Sequence, residues 1–355
     1  MYEVKIYENF NQELNSYWKD FEDNNDIYFF QSFDWLKTYF DIFLNKKINL
    51  LKIGIVFKNQ EVLMIIPMQV TKKFGSFFLE WIGNEVVDFM CPLISKKLSI
   101  NKNDFDAIWA SFLKKIKKYD VILLKKQPEF IKSIENPFTT FLKKNNEKKY
   151  FLIENHKKSW DEYFSSIFNS KHKYNLEISI RKLEKSGRLI FQQETLFEEK
   201  IKVINIVMKN KQSQYLKEKH SNLLNFNKLE NFYSNLLLLE EEKKIKKFSF
   251  QISTLKLNNN VIAGCIGVVD KGSYHYLIPF YSDKLKKYSP GIILLKNIIS
   301  WSFLNKILIF NFGDGDESYK KKWSNKFNFT YDFVDYNSIR GFILYFFYKS
   351  KIFFR

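Results

Sequence analysis

The sequence predicts a mixed α/β fold built from two domains of similar structure. The first observation is length, because 355 residues can form two hydrophobic cores of ordinary size. The second is a hairpin, a third strand, a helix and a buried strand that follow one another in the N-terminal half. The third is that this succession returns in the C-terminal half without sequence identity. We therefore expect two domains, residues 1–155 and 156–355, each with a sheet and flanking helices.

The N-terminal half contains one complete round of this pattern. Aromatic residues recur at helical spacing near its start, and apolar runs on either side of a polar turn then indicate a hairpin. Asn103 or Asp104 is the expected N-cap of the helix that follows. The predicted elements are helices at 12–23 and 33–45, strands at 50–57, 62–71 and 77–82, a helix at 103–118 and a buried strand at 121–124.

The C-terminal half contains the second round, which a helical stretch precedes. Ser186 and Gly187 are expected to end the second helix of that stretch with a glycine C-cap. The predicted elements are helices at 158–168, 172–185 and 197–217, strands at 248–257, 261–269 and 274–280, a helix at 291–304 and a buried strand at 307–310.

The charge balance is strongly positive but says little about the partner. The chain has 57 Lys and Arg against 39 Asp and Glu, a formal net charge of +18. Such a charge favours nucleic acid or an anionic membrane surface. All but four of the basic residues are Lys, however, and Lys lacks the planar fork with which Arg reads phosphates and bases. Nucleic-acid binding is therefore a minority hypothesis.

Metal sites and membrane-spanning segments are not predicted. The two cysteines and four histidines have no paired spacing that would form a zinc site. The N-terminus lacks the basic and apolar regions of a signal peptide. No apolar run approaches the roughly 20 residues that span a bilayer. We expect a cytoplasmic protein without a metal.

The segment Ser289-Pro290-Gly291 predicts a helix start that faces the end of a strand. Pro suits the first turn, and a hydroxyl beside it suits the cap. The free N–H groups and the positive end of the helix dipole together favour a diphosphate. We expect the backbone amides of Gly291, Ile292 and Ile293 to bind it, with Ser289 and Pro290 shaping the corner.

Several separated motifs follow one another along the chain: residues 30–36, residues 79–89, Ser289-Pro290-Gly291, residues 311–317, Tyr319-Lys320 and Trp323. Together they resemble the motifs of one family, the GNAT-type acyltransferases of bacterial exopolysaccharide and cellulose clusters, which are related to the Fem-type peptidoglycan aminoacyltransferases. The resemblance runs from about residue 28 to about residue 335. It departs at Cys91, where many relatives have an acidic residue, and in the GNAT phosphate signature, of which only Lys287 and Gly291 remain.

The resemblance implies two tandem GNAT-like domains with mostly antiparallel sheets. It implies transfer of an acetyl or similar acyl group from acetyl-CoA, or another acyl-CoA, to an amine or hydroxyl. The acceptor would be a sugar or a cell-envelope polysaccharide precursor, bound on the side of the N-terminal domain, while the C-terminal domain binds the CoA thioester. The alternatives are a Fem-type transferase that uses aminoacyl-tRNA and a non-catalytic module that binds an anionic polymer.

The resemblance also assigns roles to individual residues. The Lys of Fem-type relatives that matches Lys320 is implicated in stabilising charge on the acyl-transfer intermediate, and Tyr319 precedes it at the cleft. The alternative is that Lys320, Lys321 and Lys322 are all solvated. The loop before them lacks the ligand spacing of a cation site. No Ser-His-Asp or Cys-His arrangement is evident, so direct attack by the acceptor is favoured.

The N-terminal half supplies further candidates. Asp88 and Glu85 lie in the loop that interrupts the first domain and are candidates for the general base or for holding the acceptor. Gln31 and Trp35 are candidates for the acceptor pocket, because an indole offers the apolar face on which sugars stack. Trp323 is a further candidate for contact with the substrate. The alternative for Trp35 is a place in the core.

Two charged segments have competing interpretations. The basic segment 171–182 resembles the family's basic helix and would contact an anionic substrate or the donor's phosphates, or it is simply a solvated helix face. The terminal segment 339–355 would lie on an anionic membrane, or it packs on the second domain. We favour packing, because the apolar residues of the terminal segment are not expected to share one face.

Overall fold

The computed structural model describes residues 2–44, 50–156, 159–217 and 225–349. The strands are β1 (Glu3–Tyr7), β2 (Leu50–Lys58), β3 (Glu61–Lys73), β4 (Ser76–Trp81), β5 (Leu93–Ile94), β6 (Val121–Pro128), β7 (Phe130–Ile131), β8 (Ile134–Glu135), β9 (Asn145–Glu154), β10 (Leu189–Glu194), β11 (Ser249–Leu257), β12 (Asn260–Asp270), β13 (Ser273–Tyr281), β14 (Ile309–Asn311) and β15 (Lys326–Tyr336). The helices are α1 (Gln12–Asn24), α2 (Phe33–Phe43), α3 (Lys102–Lys114), α4 (Pro137–Phe141), α5 (Trp160–Ile167), α6 (Ser170–Glu184), α7 (Phe197–Lys217), α8 (Phe226–Glu241), α9 (Pro290–Leu304), α10 (Ser318–Trp323) and α11 (Ile339–Lys349).

Two compact units make up the chain. Unit 1 comprises residues 1–149 and 329–355, and unit 2 comprises residues 150–328. The sequence predicted one boundary after residue 155, with everything beyond it in the second domain. The difference arises because the last part of β15 pairs with β6, from Thr330 opposite Pro128 to Tyr336 opposite Val121. The helix α11, which follows β15, also packs against β6.

The strands of unit 1 lie in the order β1-β2-β3-β4-β6-β15, with β5 added to β3. All neighbours are antiparallel except β4 and β6, which are parallel. Helix α3 approaches β2 closely, since a Cβ on Gly54 would lie 2.7 Å from the ring of Phe112. Asn101 caps α3 and forms a capping box with Asp104. The expectation that Asn103 or Asp104 is the cap was therefore wrong by at least two residues.

The strands of unit 2 lie in the order β9-β14-β13-β12-β11-β10. Only β13 and β14 are parallel. Helix α9 covers one face of the sheet. Its residues Ile293 and Ile298 belong to the same apolar core as Tyr274 of β13. Helix α7 packs against β11, β12 and β13, and α8 packs against β11. The hairpin, third strand, helix and buried strand predicted for this half are all present.

The described helices include none that combines the length and the apolar character needed to cross a bilayer. The predicted ends of two helices, residue 45 and residue 158, lie outside the described residues, as does the end of the terminal segment at 350–355.

Candidate functional site

The strands β13 and β14 separate soon after they meet. They pair only from Ser273 opposite Ile309 to His275 opposite Asn311, although β13 continues to Tyr281. The chain turns away after β14, where Asn311 Oδ1 accepts a hydrogen bond of 2.9 Å from the N–H of Gly313. Residues 276–281 of β13 therefore have no strand partner on this side among the described residues. Their backbone groups form an open edge that can pair with an extended ligand.

A β-bulge lies at the point where this edge opens. The register between β12 and β13 shifts between Ile266 and Gly267, whose partners are Ile278 and Tyr276, so Leu277 has no partner of its own. A bulge adds local twist to a strand and turns it away from its neighbours. The bulge thus accounts for part of the separation between β13 and β14.

Helix α9 starts beside the far end of the open edge. A Cβ on Gly291 would lie 3.1 Å from Cδ1 of Tyr281, the last residue of β13. A larger residue at this position would need Tyr281 to move. The lysines Lys286 and Lys287, which precede the helix, are exposed. The start of α9 therefore combines close contact with β13, the positive end of the helix dipole and two exposed cations.

The hydrogen bonds at this helix start differ from the prediction in two ways. Ser289 has φ 52° and its side chain does not cap the helix, so the expected hydroxyl cap was wrong. The N–H groups of Ile292 and Ile293 both donate to the carbonyl of Ser289, at 3.0 and 3.1 Å. The N–H of Gly291 donates to no group within the described ranges. Of the three amides predicted to bind phosphate, Gly291 is the one that the fold leaves available.

Lys320 is buried in the turn that follows β14. Its side chain is only 5% exposed and forms an ion pair of 2.9 Å with Oε2 of Glu317. Its ammonium also donates to the carbonyl of Asp314. Lys321 and Lys322 are exposed, so a fully solvated lysine run is wrong for Lys320. An ammonium has three donors, so one remains for a further acceptor.

Glycine makes this turn possible. Gly315 has φ 110°, a conformation that other residues rarely adopt. A Cβ there would lie 2.5 Å from Oε2 of Glu317 and 3.0 Å from Nζ of Lys320. The turn and the Lys320 ion pair therefore depend on each other.

Two phenols lie close to this position. Burial, and then the neighbouring charge of Glu317, raise the pKa of Tyr319. Burial also raises the pKa of Tyr276 well above its ordinary value, with smaller contributions from Cys265 and Tyr319. Both groups therefore remain protonated near neutral pH and can donate a hydrogen bond. Tyr276 stands at the start of the open edge of β13 and was not predicted as a site residue, because nothing distinguishes it within the aromatic run of that strand.

Trp323 has a structural place in unit 2. It is only 3% exposed, and its ring meets that of Phe168 edge to face at 4.6 Å. The hydroxyl of Tyr163 donates to its backbone carbonyl. The predicted contact between the Trp323 ring and a substrate is therefore not supported by its burial.

The four candidates of unit 1 have different environments. Trp35 is 0% exposed, and its ring packs edge to face on Phe29 and Phe30 at 4.9 and 5.5 Å. It belongs to the core and offers no face to a sugar, which corrects that prediction. Gln31 is also buried, and its Nε2 donates to the carbonyl of Phe89 at 2.6 Å.

The loop after β4 carries the two carboxylates. Glu85 is exposed and accepts a hydrogen bond from the hydroxyl of Tyr39. Asp88 is half-buried and lies along the chain between Glu85 and Phe89, the residue whose carbonyl Gln31 contacts. In unit 1, Glu85 and Asp88 thus lie in one loop that Gln31 contacts, whereas Trp35 lies in the core. The described residues include no group of His, Cys, Asp or Glu that could hold a metal ion.

Comparisons with known proteins agree with this architecture. Residues 170–321 match the family model described as "Acetyltransferase (GNAT) domain". No curated protein sequence matches the chain. The structure is similar to that of FemX, with a TM-score of 0.60 and 12% identity over 96% of this chain and 99% of FemX.

Two further solved structures share the fold over nearly their whole length. L-PGS from Bacillus licheniformis has a TM-score of 0.53 and 12% identity, covering 98% of both chains. A tandem GNAT protein from the clavulanic acid biosynthesis pathway has a TM-score of 0.51 and 7% identity, covering 95% of this chain and 98% of its own. At these identities, the likeness concerns the fold alone.

The chain therefore has a mixed α/β, tandem GNAT fold. It contains a GNAT acyltransferase domain, and it is an enzyme of that type. The narrower resemblance to enzymes of exopolysaccharide and cellulose clusters stays a prediction.

Proposed function

We propose that this enzyme transfers an acetyl or similar acyl group from a CoA thioester to an amine or hydroxyl. The observation that carries the proposal is the open edge of β13 from residue 276 to 281, which ends against the start of α9. The pantetheine arm of CoA is an extended chain with amide groups, so it can pair with such an edge as an added strand would. The diphosphate would then lie at the Gly291 amide, near Lys286 and Lys287.

Lys320 and Tyr319 would act on the acyl group. When the acceptor attacks the thioester carbonyl, negative charge develops on its oxygen, and the remaining donor of the Lys320 ammonium would stabilise it. The protonated phenol of Tyr319 would donate a hydrogen bond to the departing sulfur. Burial raises the pKa of Cys91 and of Cys265, so neither thiol is prepared to act as a nucleophile. This favours direct transfer without an acyl-enzyme.

We assign the acceptor to unit 1 and propose a sugar or a cell-envelope polysaccharide precursor. The loop that Gln31 and Tyr39 anchor presents Glu85 and Asp88, whose carboxylates can accept hydrogen bonds from hydroxyl or amine groups. Asp88 is the proposed general base, because its half-buried carboxylate lies in this same loop beside the groups that would hold the acceptor. Because acyl-CoA is an intracellular metabolite, we also propose a cytoplasmic location.

Calorimetry with CoA and acetyl-CoA tests the donor. Gly291→Trp should abolish binding, since the indole would displace Tyr281 and cover the amide. Leu304→Trp is the matched control, because Leu304 is the last residue of the same helix and is 76% exposed. The donor assignment fails if the chain does not bind CoA, or if Gly291→Trp binds it as the control does.

A second candidate function is transfer from aminoacyl-tRNA, which the Fem-type resemblance implies. The observation that favours it is the exposure of Lys171, Arg181 and Lys182 on α6. Binding of aminoacyl-tRNA that weakens steeply with salt, together with no binding of CoA, would support this candidate over the first.

A further inference from the structure

Contacts with unit 1 fix the orientation of helix α11. A Cβ on Gly341 would lie only 1.9 Å from the carbonyl oxygen of Asp120, so the helix touches the backbone there. The hydroxyl of Ser338 donates to Oδ1 of Asp120 at 2.6 Å. Near the other end of the helix, the hydroxyl of Tyr348 donates to Oδ2 of Asp332 at 2.6 Å. Gly341 and Tyr348 therefore mark the buried side of α11.

The opposite side of α11 is apolar and exposed. Ile339, Phe342, Ile343 and Phe346 are 83%, 50%, 51% and 64% exposed. Their spacing of three, four and seven residues places them on one face of a helix. Two predictions were wrong here: the helix packs on unit 1 and not on the second domain, and its exposed apolar residues do share a face.

Cations lie on both borders of this apolar face. At 100° per residue, Arg340 follows it on one side and Lys349 precedes it on the other. Both are exposed, and α11 contains no acidic residue. Partial burial and then the charge of Lys143 lower the pKa of Lys349, so a second cation lies close to it. Asp120 and Asp332 are both engaged in hydrogen bonds to side chains that anchor the helix.

We propose that the exposed face of α11 docks on an anionic lipid bilayer. An apolar stripe with basic residues on its borders is the pattern of helices that lie in the plane of a membrane interface. The apolar side chains would enter the acyl boundary, while Arg340 and Lys349 reach lipid phosphates. The net charge of +18 adds long-range attraction to such a surface.

Charge argues against a second copy of the chain as the occupant. In a two-fold dimer, each α11 would meet the same face of its partner. The cationic borders would then face cationic borders without a carboxylate from α11 to pair with them. The proposal does not depend on the identity of the acyl donor or acceptor.

Flotation with vesicles tests the proposal. The full chain should float with vesicles of equal parts phosphatidylglycerol and phosphatidylcholine, and much less with phosphatidylcholine alone. The Phe342→Ser, Phe346→Ser double variant should reduce the bound fraction at least about tenfold. Leu196→Ser, Leu304→Ser is the matched control, because these leucines are 65% and 76% exposed elsewhere and should bind as the wild type does.

Charge variants and folding controls complete the test of membrane binding. Arg340→Gln, Lys349→Gln should weaken binding to the anionic vesicles and leave the weak binding to phosphatidylcholine unchanged. Equal thermal midpoints and unchanged CoA binding for the serine variants would show that folding is intact. The proposal is overturned if the wild type does not float, if both serine variants bind equally, or if the chain is a dimer that Phe342→Ser, Phe346→Ser makes monomeric.

Discussion

Replacing Lys320 with Met tests the chemistry of unit 2 most directly. The substitution keeps much of the length and the apolar stem while it removes the ammonium. If that ammonium stabilises the developing oxyanion, its loss should lower kcat by about 10², which corresponds to about 2.7 kcal/mol of transition-state stabilisation. The donor affinity should change little, because the carbonyl oxygen carries little charge before attack.

The environment of Lys320 also sets the effect on stability. Its hydrogen bond to the Asp314 carbonyl is partly buried, and bonds from charged groups contribute about 1.5–3 kcal/mol. Its partner Glu317 is 56% exposed, so that carboxylate is rehydrated when the ion pair is lost and contributes little. Removing a buried charge offsets part of the loss. We expect a modest fall in the free energy of unfolding, far below what would unfold unit 2.

Two controls separate an oxyanion role from a role in holding the turn. Lys321→Met removes an exposed neighbour and should leave kcat unchanged. Glu317→Gln loosens the turn but keeps the ammonium, so it should lower kcat much less than Lys320→Met does. Steady-state kinetics with acetyl-CoA and an active acceptor measures all three variants. The oxyanion role is refuted if Lys320→Met changes only KM, if it behaves like Lys321→Met, or if Glu317→Gln is equally damaging.

Three further predictions concern the fold and its titration. Gly341→Ala should destabilise unit 1 by about 1–3 kcal/mol in denaturant unfolding, because the added Cβ would meet the Asp120 carbonyl. Ile343→Ala, on the exposed face of α11, should be nearly neutral, and equal effects of the two variants would contradict the packing described for α11. Asn101→Ala should lower the free energy of unfolding by about 1 kcal/mol, and Asn103→Ala should hardly change it. The reverse order would support Asn103 as the N-cap, as expected from the sequence. Since burial raises the pKa of Tyr319 above 10.0, its unfolded form loses the proton first, so the contribution of Tyr319 to the free energy of unfolding should be constant below pH 10 and decrease above it. Tyr319→Phe should make that fall shallower, and an unchanged slope would show that the phenol is not buried in solution.

The elements that sequence predicted well are those with strong local signals. The hairpins around residues 59 and 259 and the helix that begins at Pro290 have turn residues and apolar runs that specify them without help from the rest of the fold. β10 and β15 were missed, because they are held in place by strands distant along the chain. β10 pairs with β11, where Leu189 lies opposite Leu257, and its own residues are mostly half-buried.

The site was harder to predict than the fold. The motif around Ser289 located the helix start, but the hydrogen bonds of Ile292 and Ile293 depend on the conformation of Ser289. The burial of Lys320 depends on the turn at Gly315, and the run of three lysines in the sequence does not indicate which of them is buried. Trp35 and Trp323 show the same limit, because an aromatic side chain suits a core and a sugar-binding face equally well.

The path of the chain has a consequence for the order in which the protein forms. Thr330 pairs with Pro128, so all of unit 2 is synthesised between these two strands of unit 1. Domains generally fold as units while the chain emerges from the ribosome. Unit 2 can therefore fold first, and until β15 is synthesised one edge of β6 has no partner strand. An unpaired edge is a site for pairing with other chains. Truncation after residue 328 would thus leave unit 2 whole and make unit 1 prone to aggregation.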